Sequence, residues 1–93
     1  MPKYVIEREI PKAGELGPAD LKGIAAKSNG VLGEMNESGT NIRWEHSYVT
    51  GDKIYCVYDA PDENAVRQHA ERGGFPANKI ERVSQVISPS TGG

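Results

Sequence analysis

Two alternating segments separated only by Gly51-Asp52 constrain this chain more than any other feature. Asn41 to Thr50 sets Ile42, Trp44, His46 and Tyr48 against Arg43, Glu45, Ser47 and Val49, and Lys53 to Asp59 is rich in Ile, Tyr, Cys and Val. Period-two alternation marks strands, and a two-residue link with glycine first suits a type II′ hairpin. Such a link sets the register: Thr50 opposes Lys53, Tyr48 opposes Tyr55, His46 opposes Val57 and Trp44 opposes Asp59. Opposed residues share a face, so Trp44, His46, Tyr48, Tyr55, Val57 and Asp59 are expected together, with His46 and Asp59 as diagonal neighbours. A three-residue loop would reverse this parity.

The flanking segments repeat one plan on either side of the hairpin. Lys3 to Glu9 alternates as a strand, with Tyr4 and Ile6 on one face and Val5 and Glu7 on the other. Pro18 then suits a first helical position, where its missing N–H costs nothing. From Pro18 to Met35, the residues Leu21, Ile24, Ala25, Ser28, Leu32 and Met35 form one stripe of 3.6 period. After the hairpin Pro61 breaks the strand and Asp62 can cap a second helix, whose inner stripe is Val66, His69 and Ala70. Gly73-Gly74 ends it, and Lys79 to Ile87 alternates as a fourth strand. The order is β-α-β-β-α-β, two β-α-β halves. Right-handed crossovers then give an α+β sandwich: a four-stranded antiparallel sheet, ordered 4-1-3-2, with two helices on one face. The other face is bare yet carries apolar residues, and a second copy of the chain is the expected cover.

With 93 residues the chain is long enough for one domain, expected over residues 1–88, with 89–93 a flexible polar tail. The net charge of −2 comes from 11 basic and 13 acidic residues with no basic block, which argues against nucleic acid. No apolar run reaches the roughly 20 residues that span a bilayer, and no signal-peptide core follows Met1, so no membrane partner and a cytoplasmic location are expected. The single cysteine, Cys56, allows neither an internal disulfide nor a CxxC motif and reads as a small buried apolar residue.

The chemistry-bearing residues are few. His46 reads either as a metal ligand or acid/base, or as a strand histidine wedged between Trp44 and Tyr48. His69 falls on a helix's inner stripe, as a ligand or as a satisfied core histidine. Glu7 lies on a strand that this topology makes central, where a charge needs a reason. With Asp59, these residues form a candidate divalent-metal set of two imidazoles and two carboxylates, suited to nickel, zinc, cobalt or copper. No HExxH-type spacing supports it. Arg8 and Arg43 read either as binders of an anionic ligand or, the favoured reading, as exposed ion-pairing residues.

Tyr4 through Arg8 (YVIER), Trp44 through Thr50 (WEHSYVT), Asp52 through Tyr58 (DKIYCVY), Ala60-Pro61, and His69-Ala70 followed by Gly74-Phe75-Pro76-Ala77 together resemble a family of small bacterial proteins. That family is known as a domain of unknown function and includes a nickel-binding member with a ferredoxin-like fold. The resemblance spans nearly the whole chain. It implies a ferredoxin-like subunit, a homodimer, and divalent-metal binding with nickel the named candidate. His46, His69 and Glu7 lie in the matching stretches. The Asn36 to Asn41 loop departs from the pattern.

Three readings compete at this point, one of them a dimeric scaffold or interaction module in which both histidines are packing residues; the other two carry chemistry. One is a cytoplasmic, homodimeric protein that binds a divalent metal through His46, His69, Glu7 and Asp59. The other is a ligand-binding or enzymatic module whose pocket is walled by Trp44, Tyr48 and Tyr55, with His46 as acid/base and Asp59 orienting it.

Overall fold

The computed structural model describes all of residues 1–93. Its strands are β1 (Lys3–Glu9), β2 (Arg43–Val49), β3 (Lys53–Asp59) and β4 (Lys79–Arg82), and its helices are α1 (Pro18–Glu37) and α2 (Glu63–Gly73). Short 3-10 turns occupy Ala13–Glu15 and Pro89–Gly92. The sheet runs β2-β3-β1-β4 with every neighbouring pair antiparallel, as the β-α-β-β-α-β order requires.

β1 alternates strictly. Tyr4, Ile6 and Arg8 are buried, while Lys3, Val5 and Glu7 are half-buried on the opposite face. On β3 Ile54, Cys56 and Tyr58 are buried on the same face as Tyr4, Ile6 and Arg8, and Asp59 is buried at the strand's end. Both helices pack on this face. α2 brings Ala65, Val66, His69 and Ala70 inward, and α1 brings Ser28, Val31, Leu32 and Met35. Only the C-terminal half of α1's apolar stripe is buried; Leu21, Ile24 and Ala25 stay partly open. The helix therefore stands off the sheet at its N-terminal end.

The ends of α1 and α2 follow local chemistry. The Gly17 N–H donates to the Asp20 side chain at 3.1 Å, and Pro18 opens α1. Asp62 Oδ1 accepts from the Ala65 N–H at 2.9 Å, capping α2. Gly74 closes α2 at φ 69, a left-handed conformation that glycine adopts without penalty. Gly73 is needed too, because a Cβ there would run into the Phe75 ring. Between α1 and β2, Asn36 holds the loop: its amide donates to the Leu32 and Ile42 carbonyls, and its Oδ1 accepts from the Ile42 N–H.

Three expectations need correction. The hairpin link is Gly51-Asp52, with the Thr50 N–H donating to the Lys53 carbonyl at 2.9 Å, but Gly51 lacks the positive φ of a type II′ turn. The turn is braced from outside, since the Gly51 and Asp52 carbonyls accept from the Gly14 and Ile10 N–H groups, both at 3.0 Å. Gly14 lies so close to Gly51 that a Cβ on it would meet the Gly51 Cα at 3.1 Å. Second, Tyr48↔Tyr55 and His46↔Val57 pair as expected, but a bulge at Glu45 then places Trp44 opposite Tyr58 and Arg43 opposite Asp59. The extra residue reverses parity, so Trp44 faces the helices while His46 faces away. Third, β4 stops at Arg82, not Ile87. It pairs only with β1, and the Val83 N–H takes the Lys3 carbonyl at 2.8 Å at that strand's first residue, so beyond it no ladder remains.

Met35 is fully buried where α1 meets the sheet. Met35→Ala is expected to lower the unfolding free energy by about 2–5 kcal/mol in urea titration, while Ile87→Ser, at an exposed position, is expected to shift it by less than about 0.5 kcal/mol.

Candidate functional site

The two faces of the sheet carry different chemistry. The open face is bordered by ions. At one end the Lys3 ammonium meets Glu45 and lies 3.2 Å from Asp59, whose other oxygen takes Arg43 at 3.0 Å. Burial alone would raise the Asp59 carboxyl, but the hydrogen bonds from Arg43 and Lys3 outweigh it and hold it below the usual carboxylate range. At the other end Lys53 pairs with Glu7 at 3.2 Å, and this hydrogen bond raises the Lys53 ammonium. Between these borders lie half-buried Val5, Tyr55 and Val57, with His46 and Tyr48 exposed beside them. The His46 and Tyr48 rings meet edge to face, with centroids 5.1 Å apart.

His69 is on the other side of the sheet. It is fully buried, its Nε2 is 3.0 Å from Ser28 Oγ, and its ring lies between Tyr58 and Phe75 with centroid distances of 5.0 and 5.6 Å. Nδ1 has no partner. Burial, reinforced by the positive charge of Arg8, pushes its pKa down to about 4, so the ring is neutral at pH 7. His46 and His69 therefore cannot share an ion within one chain, since the sheet separates them. Glu7 and Asp59 share the face of His46, but both are held by cations. Within the chain no three His, Cys, Asp or Glu side chains come together in a metal-binding group. The expected aromatic pocket divides in the same way. Tyr48 and Tyr55 stay with His46, whereas Trp44 turns toward α1 and donates from Nε1 to Ser47 Oγ at 2.9 Å.

The space that Trp44 does face is a cavity of about 230 Å³ under the N-terminal half of α1. Leu21, Ile24 and Ala25 roof it, Ile54 and Cys56 floor it, and Arg8, Ser28, Ser47 and Tyr58 carry its polar groups. Arg8 is 3% exposed, not an exposed pairing residue. Its Nη1 donates to the Pro76 carbonyl at 2.6 Å, its Nε donates to Cys56 Sγ at 3.3 Å, and Phe75 lies 5.4 Å below the guanidinium carbon. The signal for Arg8 was present in the alternation, because it has the parity of Tyr4 and Ile6.

Comparison with known proteins agrees with the architecture. Residues 4–83 match the family described as "Nickel responsive protein SCO4226-like". The crystal structure of SCO4226 from Streptomyces coelicolor A3(2) superposes with a TM-score of 0.75 at 18% identity, covering 91% of this chain and 99% of that one. The likeness confirms the four-stranded, two-helix, ferredoxin-like fold. A segment of M. kandleri SerRS, in its complex with A. aeolicus tRNASec, aligns at a TM-score of 0.41 and 13% identity, over 22% of that chain, too weakly to bear on this one. No curated protein sequence matches the chain. No helix is long and apolar enough to cross a membrane.

His69 makes stability depend on pH. Its pKa is about 4 folded against the ordinary 6.5 unfolded, so between these values the unfolded chain holds more protons. This contribution is complete above pH 6.5 and is lost as the pH falls toward 4, by up to about 3 kcal/mol. Urea unfolding at pH 7, 5.5 and 4.5 is expected to show the fall in the parent and a flatter profile in His69→Phe.

Proposed function

Since the chain belongs to the SCO4226-like family of nickel responsive proteins, we propose that it is a cytoplasmic, homodimeric nickel-binding protein that takes the ion on the open face of its sheet. The observation that carries this reading is the placement of His46. Of the two histidines in the chain, His69 is sealed in the core and His46 is exposed. A neutral imidazole is a suitable nickel ligand near pH 7, and Glu7, Glu45 and Asp59 supply oxygen donors on or beside the same surface.

One chain does not complete such a site, because its donors are too dispersed. A two-fold pairing through the open face would bring two copies of His46 and their flanking carboxylates around one axis. It would also cover Val5, Tyr55, Val57 and Tyr48, a gain for a domain of this size. Ligation by Glu7 or Asp59 would require displacing Lys53, or Lys3 and Arg43. His69 is left with a packing role.

Calorimetric titration with nickel chloride, paired with sedimentation velocity, tests this. The parent is expected to bind nickel stoichiometrically as a dimer. His46→Ala is expected to lose more affinity than the roughly 10–100-fold typical of groups that merely orient ligands. Unchanged nickel affinity in folded His46→Ala would sink the proposal, as would a parent that binds nickel only as a monomer.

A further inference from the structure

The cavity beneath α1 holds the one charge in the molecule that is buried without a counter-ion. Arg8 is the sole formally charged residue among those lining it, and none of the chain's ion pairs includes Arg8. A guanidinium this deeply placed ordinarily has a carboxylate or a full set of acceptors. Here Nε and Nη1 are occupied by a thiol sulfur and a backbone carbonyl, the Phe75 ring lies under the guanidinium, and Nη2 is buried without a well-formed hydrogen bond, the Tyr58 hydroxyl being the polar group nearest to hand. Ser28, Ser47 and Tyr58 belong to the same wall, and most of the rest is apolar, Leu21, Ile24, Ile54 and Trp44 among it.

We infer that this cavity binds a small carboxylate with an apolar or aromatic body, its carboxylate on Arg8 and its body under Leu21 and Ile24 beside Trp44. Three features select that class. The unpaired guanidinium calls for an anion, and a carboxylate matches its planar donor fork. The apolar walls call for a hydrophobic body, which excludes bare inorganic ions. The volume of about 230 Å³ lies below the roughly 300–1,000 Å³ of sites for drug-sized ligands, so the occupant is smaller. The loosely seated half of α1 forms the roof, so entry does not require opening the packed core at Val31, Leu32 and Met35. The cavity and His46 lie on opposite sides of the sheet, so this site stands or falls independently of nickel.

Trp44 is the only tryptophan in the chain, and it lines the cavity, so its fluorescence reports occupancy directly. The full chain, without nickel, is titrated with phenylacetate, with phenylacetamide, which lacks the charge, and with acetate, which lacks the body. Phenylacetate is expected to give a saturating change and to raise the melting temperature. The other two are expected to bind at least tenfold more weakly. Arg8→Met is expected to weaken phenylacetate at least tenfold, and His46→Ala to leave it unchanged. If Arg8→Met does not fold, Ala25→Phe decides, since it fills the roof while leaving Arg8 intact and is expected to abolish binding. The inference is overturned if phenylacetate gives no saturating change, if phenylacetamide binds as well, or if Ala25→Phe binds like the parent. It is also overturned if Ala25→Phe alters the sedimentation coefficient of the ligand-free chain, which would make a second copy the occupant.

Discussion

Seven consecutive residue pairs join β1 to β3, from Lys3↔Asp59 to Glu9↔Lys53, and the other elements take their places from this ladder. Both strands are central, each with another strand on its far side. A one-residue slip would exchange Tyr4, Ile6 and Arg8 for Val5 and Glu7 beneath the helices, exposing the core and burying a carboxylate. The register is therefore tied to the whole apolar pattern. The Lys3–Asp59 and Lys53–Glu7 ion pairs reinforce it at either end, though pairs whose lysine stays in contact with solvent contribute little energy.

Beneath the helices the core is not uniformly apolar. Arg8, Ser28 and His69 run through it, joined by Tyr58 and Phe75. The Gly73-Gly74 turn at the end of α2 is part of this arrangement. It leaves room for Phe75 to fold back against His69 and under Arg8, and α2's capping bonds hold it there. Two polar atoms in this region, Arg8 Nη2 and His69 Nδ1, have no partner. Unsatisfied buried groups are costly and few in folded proteins. One of them belongs to Arg8, a residue that lines the cavity beneath α1.

The single bulge at Glu45 divides the functional residues of β2. On its C-terminal side His46 and Tyr48 face outward, and on its N-terminal side Trp44 faces the helices. A regular hairpin would have placed all three on the open face beside Asp59. The bulge instead gives the open face an imidazole with carboxylates around it, and gives the cavity its aromatic wall. One inserted residue thus separates a metal-type surface from an apolar pocket.

Much of this was legible without coordinates. Alternation in β1 and β3, the stripe of α1, the Asp62 cap and the Gly73-Gly74 stop each depend on neighbours a few residues away, so element order, strand order and the side bearing the helices follow from the sequence alone. The near half of the hairpin register was legible too, because a two-residue link leaves little freedom. The bulge was not. It depends on how β2 meets β3, which no local pattern encodes. The separation of His46 from His69 was equally hidden, since it depends on which side of a shared sheet each element packs. The exposure of half of α1's stripe was hidden as well: a periodic pattern shows which face of a helix turns inward, but how closely that face approaches the sheet is decided by the packing of all the elements together.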